Sequence, residues 1–113
     1  VKKIVLLMGL VLTSYAFAET KIPMTDSYYK GKYFLLSNTK SNNLNIVVYK
    51  SVFKSETVFS KMEINCSTGK YRKIGEGIDS LSDLTLFSNK GNWISPVNGA
   101  THDDVVRFVC KRK

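Results

Sequence analysis

The chain carries two cysteines, Cys66 and Cys110, and what they can impose on the fold depends on where the chain folds. The first eighteen residues bear on that. Lys2 and Lys3 make a short positive stretch, residues 4–11 an apolar run of signal length, and Ala16-Phe17-Ala18 a small-x-small cleavage motif. The apolar run is too short to span about 30 Å of hydrocarbon, and no stop-transfer cluster of charges follows it. The expectation is a signal peptide over residues 1–18, cleaved after Ala18, and a single exported domain over residues 19–113, periplasmic, secreted or at the cell surface. No second apolar run reaches transmembrane length, so no transmembrane segment is expected after processing.

In an oxidising compartment two cysteines are most simply one disulfide. It would close a loop of 45 residues, counting both ends. Chain entropy puts the stabilisation from such a loop at roughly 4 kcal/mol. That is large beside the few kcal/mol that a core this small supplies. Metal binding is the competing use of cysteine, and it lacks ligands here: the chain has one histidine and no Cys-x-x-Cys. No metal and no cofactor is expected.

Charge bounds the partners. The chain has 17 Lys and Arg against 9 Asp and Glu; without Lys2 and Lys3 the balance is 15 against 9, a net charge of +6. Such a surface favours anionic partners such as polysaccharides, acidic proteins or lipid head groups, or is simply a soluble basic surface. Export argues against nucleic acid.

Past a polar stretch over residues 19–29, read as an ordered arm or loose terminus, strand patterns dominate. Tyr33-Phe34-Leu35-Leu36 is a short apolar run, residues 38–43 (NTKSNN) have turn chemistry, and Asn45-Ile46-Val47-Val48-Tyr49 is β-branched and aromatic. Residues 58–66 alternate, with Val58, Ser60, Met62, Ile64 and Cys66 on one face. Ser67-Thr68-Gly69 is a tight connection into a strand beginning Lys70-Tyr71-Arg72-Lys73. Farther on, residues 84–87 suit a short strand. Asn89-Lys90-Gly91-Asn92 and Asn98-Gly99 suit turns, and Trp93 is an apolar anchor for the sheet.

The final segment reads two ways. Val105, Val106, Phe108 and Val109 have strand propensity, but the ends favour a helix. Thr101 is an N-cap residue, Asp103 and Asp104 fall in the first turn, and Lys111, Arg112 and Lys113 follow at the far end. In helical spacing Val105, Val106, Val109 and Cys110 form one stripe. The expected fold is α+β: a small antiparallel β-sheet with a C-terminal helix tethered to it by the disulfide.

A strand ending Glu63-Ile64-Asn65-Cys66, a basic Lys70-Tyr71-Arg72-Lys73 strand, Trp93-Ile94-Ser95-Pro96, and a last segment ending Val109-Cys110-Lys111 occur here in that order. The layout resembles the surface-adhesin protein E family over roughly residues 33–111. The resemblance implies an antiparallel sheet carrying a C-terminal helix on one face, bridged through Cys66 and Cys110. It also implies a dimer. Its best-known member is an outer-membrane adhesin that binds host matrix proteins such as vitronectin and laminin. That member is lipidated on a cysteine just after its signal, and the residue after Ala18 here is Glu19, which sets this chain apart from it.

Catalytic patterns are thin. His102 adjoins Asp103 and Asp104, but sequence neighbours on a helix do not face one another, and a solvent-exposed histidine is expected. No G-x-S-x-G or Gly-rich phosphate loop is present. Nothing places Glu63, Glu76, Asp79 and Asp83 together. No enzyme activity and no catalytic residue is expected.

A binding module fits better. Lys70 and Arg72 share one face of their strand, opposite Tyr71 and Lys73, and Lys111, Arg112 and Lys113 form a second basic cluster. Basic and aromatic groups together can grip a glycan or an acidic peptide; the same pattern also describes a solvated face with Tyr71 in the core. The expected function is an adhesin-like binding protein for a host-matrix or envelope ligand, protein or anionic glycan. A small periplasmic inhibitor or immunity protein of a partner enzyme is the alternative. A small sheet leaves an unpaired edge, so weak homodimerisation is expected as well.

Overall fold

Alternation along the strands and turn residues at their ends build one sheet. The computed structural model describes residues 19–25 and 31–111. The expected signal peptide over residues 1–18, and Arg112 and Lys113 of the second basic cluster, lie outside the described residues. The strands are β1 (Thr20–Ile22), β2 (Lys32–Ser41), β3 (Leu44–Val52), β4 (Thr57–Asn65), β5 (Lys70–Ile78) and β6 (Thr85–Leu86). They lie in sequence order in a single sheet, each antiparallel to the next. A helix, α1 (Thr101–Cys110), crosses one face.

β3 shows the cause most plainly. Its burial alternates strictly, with Asn45, Val47, Tyr49 and Ser51 buried beneath the helix. Val47 pairs with Met62, and Ile64 with Tyr71, so the inward residues of three strands form one apolar floor. α1 lays Val105, Val106 and Val109 on that floor, together with Ile22 and Tyr33 from the first two strands. Full burial of an aliphatic side chain stabilises by about 1.5–3 kcal/mol. That exceeds the weak helix propensity of valine, which costs only tenths of a kcal/mol. Cys66, just past β4, bonds to Cys110 at the end of α1, with their Cα atoms 5.6 Å apart. The expected sheet, helix and disulfide are present.

Local departures from the sequence reading have identifiable causes. Residues 20–22 are a strand rather than an arm, because Ile22 pairs with Tyr33 and enters the core. The expected six-residue turn after β2 shrinks to Asn42-Asn43, since β2 continues to Ser41. Both asparagines take positive φ, 53° and 70°, as a two-residue hairpin with the favoured twist requires. Thr101 is the first helical residue rather than the cap. Ala100 occupies the cap position without a side-chain bond, and Asp103 instead accepts from the Gly99 N–H at 2.9 Å. Asp104 reaches away from its helix to accept from the Thr25 N–H (2.8 Å) and hydroxyl (2.5 Å), pinning the segment after β1.

Two bulges reset the faces. Leu36 is an extra residue in β2 opposite β3, and Ile74 an extra residue in β5 opposite β4. The first turns Asn38 toward the helix side, opposite Val47. The second leaves both Lys73 and Glu76 on the helix side, where they form an ion pair.

Candidate binding site

The basic residues singled out in the sequence do not converge. Lys70 is exposed where β5 begins. Arg72, on the face away from the helix, donates through Nε to Glu63 at 2.8 Å and lies 4.3 Å from the centre of the Trp93 ring. Lys90 holds the other Glu63 oxygen at 2.8 Å. Burial would raise the pKa of Glu63, but the hydrogen bonds from Lys90 and Arg72 outweigh it and hold the carboxyl below its usual value. Arg72 therefore helps to fasten the segment after β6 onto the sheet, alongside the two backbone hydrogen bonds that Ile94 exchanges with Tyr71 at 2.8 and 3.0 Å. Trp93 anchors that segment by stacking on a guanidinium instead of entering the core. Lys73 is on the opposite face with Glu76. Lys111 ends α1 in the left-handed conformation, φ 54°.

His102 is half-buried, not solvent-exposed. Its Nδ1 is 2.9 Å from the Tyr71 hydroxyl, with ring centres 4.8 Å apart. Burial, and then the charge of Lys73, hold the imidazole pKa below its usual value. Burial also raises that of Tyr71. The neutral imidazole and the neutral phenol thus satisfy one another where α1 meets β5. The carboxylates considered as a set are dispersed: Glu63 is held by Arg72 and Lys90, Glu76 by Lys73, and Asp79 by the Thr57 N–H at 3.0 Å. Among the described residues no group of three or more His, Cys, Asp or Glu is placed to share a metal ion.

What the fold does assemble lies at the disulfide end. There the β2–β3 hairpin tip, the turn after β4 and the end of α1 enclose a concavity of about 520 Å³. Its polar lining is Asn38, Lys40, Asn43, Asn45, Ser67 and Lys111; its apolar lining is Val109 and the two half-cystines. No acidic residue lines it. Asn45 is only 5% exposed, and its amide nitrogen donates to Asn38 Oδ1 at 2.9 Å. The Asn45 oxygen faces the Cys66 sulfur at 3.7 Å. Oxidised in the disulfide, that sulfur has no proton to give. Asn65 closes the neighbouring turn by accepting from the Ser67 N–H at 2.9 Å.

Of the residues singled out in the sequence, only Lys111 and the disulfide reach this concavity. By sequence, Asn38 and Asn43 belong to a turn and Asn45 opens a strand, so none of the three stands out as a binding residue. One available signal was the alternation of β3, which puts Asn45 on the same face as Val47 and Tyr49. A polar residue on a buried face has a partner or a purpose. The concavity itself comes from three segments far apart in the chain, which no local pattern joins.

The chain matches no protein-family model, no curated protein and no solved structure. Among the described residues, no helix is long and apolar enough to cross a membrane.

Proposed function

We propose that this is an exported, non-catalytic binding protein, adhesin-like in its mode of action, that engages a host-matrix or envelope ligand. The observation that carries the reading is the concavity at the disulfide end. It gathers amides and two lysines with no opposing carboxylate, on a frame fixed by a covalent bridge and a two-residue hairpin. Pockets of this size hold small ligands or a protruding part of a larger one. The signal-like pattern of residues 1–18, the disulfide and the resemblance to the surface-adhesin protein E layout support export and binding. His102 and Tyr71 are engaged with each other, which supports a structural role for both.

Immobilised exported protein, tested against vitronectin, laminin and envelope extracts, is expected to show saturable binding that survives His102→Ala. Binding to none of these, or loss of binding in His102→Ala with the fold intact, would overturn the reading. Recovery of a single enzyme from the extract, with inhibition of it, would favour the inhibitor alternative. Weak self-association belongs to the same proposal, because the sheet ends in β1 and β6, each paired on one side only. Sedimentation over a wide concentration range tests it, and a monomer throughout would count against it.

A further inference from the structure

We infer that the concavity at the disulfide end is a subsite for an acidic saccharide: a sugar ring bearing a carboxylate or a sulfate. The inference rests on the binding-protein reading and adds the class of ligand and the residues that meet it.

The lining chooses among anions. A sugar ring presents several hydroxyls, each able to donate and accept. Side-chain amides are the protein groups that also do both, and Asn38, Asn43 and Asn45 all face this space. The Asn45 oxygen, whose neighbour is a sulfur without a proton, has lone pairs open to a ligand hydroxyl. Lys40 and Lys111 supply cations for the acidic substituent. With no carboxylate in the lining, nothing competes for those amines there.

Other anionic ligands fit less well. Single-stranded nucleic acid needs aromatic platforms, and no aromatic residue lines the concavity. An acidic peptide has little apolar wall to bury its side chains on, with only Val109 and the disulfide available. A neutral sugar would leave both lysines without a counter-charge.

The site is also built rather than incidental. Asn43 reaches it because the Asn42-Asn43 turn holds φ at 70°, and Asn38 because the bulge at Leu36 turns it inward. Lys111 reaches it from a left-handed helix end, and the bridge sets that end against the β4–β5 turn.

Calorimetric titration of the exported protein at physiological salt tests the assignment. The probes are a heparin-derived hexasaccharide, a neutral hexasaccharide with neither carboxylate nor sulfate, polyglutamate and oligo-dT. Lys40→Ala, Lys111→Gly and Asn43→Gly remove groups from the lining. Glycine suits the positive φ at positions 43 and 111, so the fold is expected to persist. Lys70→Ala removes one charge elsewhere on the same end.

The expected result is binding of the acidic hexasaccharide, weakened roughly tenfold by Lys40→Ala or Lys111→Gly, on the scale of a lost charge-assisted hydrogen bond. Asn43→Gly should weaken it less, and Lys70→Ala hardly at all. The neutral sugar, polyglutamate and oligo-dT should bind more weakly than the acidic hexasaccharide, and equal binding of the neutral sugar would overturn the acidic assignment. Equal loss in Lys70→Ala, or equal binding of polyglutamate or oligo-dT, would overturn the inference in favour of a diffuse positive field. Binding to matrix protein that persists in Lys40→Ala and Lys111→Gly would also overturn it, while leaving the binding-protein reading standing.

Discussion

The two faces of the sheet are covered by different physics. On the inner face α1 presses Val105, Val106 and Val109 onto Val47, Met62, Ile64 and Tyr71, and a disulfide locks the contact. On the outer face the segment after β6 is held by polar contacts: Glu63 is clasped by Arg72 and Lys90, Arg72 lies against Trp93, and Ile94 exchanges two backbone hydrogen bonds with Tyr71 at the edge of β5. The inner contact is non-directional, spread over many residues and covalently backed. The outer one is directional, and its side-chain part concentrates on a single carboxylate that is only 4% exposed. Damage to the inner cover should therefore be large but graded. Damage to the outer cover should be smaller and should hinge on one residue.

The largest expected effect is on the inner face. A ten-residue helix is marginal alone, so α1 depends on its docking and its bridge. Replacing Cys66 and Cys110 together with Ser should lower stability by roughly 2–5 kcal/mol. Hydrogen exchange should show residues 101–111 opening first while residues 58–73 stay protected. Uniform loss of protection would mean that helix and strands open as one unit, and the graded picture of the inner face would break.

Next comes the outer face. Glu63→Gln keeps the shape but removes the charge that faces Arg72 and Lys90. Arg72 is mostly shielded, whereas the Lys90 side chain is 54% exposed and its share is screened by solvent. The expected loss is about 1–3 kcal/mol, most of it through Arg72. Trp93 is the only tryptophan, so its emission reports on this cover alone. Glu63→Gln should shift that emission to the red, and the cysteine double variant at low denaturant should not. Unchanged emission in Glu63→Gln would show that the segment after β6 does not hang on this carboxylate.

The same contrast explains what could be read from the sequence. Burial on the inner face leaves a periodic record, so β3 and β4 were legible from Val47, Tyr49, Met62 and Ile64. α1 was legible because Asp103, Asp104 and Lys111 mark its ends where β-branched propensity misleads. β1 was not, since three residues become a strand only by pairing with β2. The bulges at Leu36 and Ile74 have no local signature. The second of them puts Lys73 and Glu76 on one face as an ion pair, so Lys73 is already spoken for. On the outer face, Glu63 and Arg72 are cross-strand partners, a relation set by register. The concavity was least legible of all, because Asn38, Asn45 and Lys111 meet only after the sheet, the bulge and the disulfide are in place.

The smallest effect separates the two covers by pH. On the inner face, burial and Lys73 hold the pKa of His102 below its ordinary 6.5, with Nδ1 set against the Tyr71 hydroxyl. The folded protein thus favours neutral imidazole, and the unfolded chain binds the proton first as pH falls. This contribution is complete above about pH 6.5 and shrinks as pH drops from there to the folded-state value, below which it no longer changes. Glu63 acts in a separate, lower window. Its folded pKa lies below the ordinary 4.5, so its stabilisation is complete above that value and is lost as pH falls through the folded one. Between about pH 7.5 and about pH 5.5, acid should therefore weaken only the α1 side. Denaturant unfolding at these two pH values should show a modest loss in the wild type and a flatter response in His102→Asn. Trp93 emission from the native state should stay constant across the same span. An equal slope in His102→Asn would assign the pH dependence to another group, and a Trp93 shift in that range would mean that the two covers are coupled through the sheet.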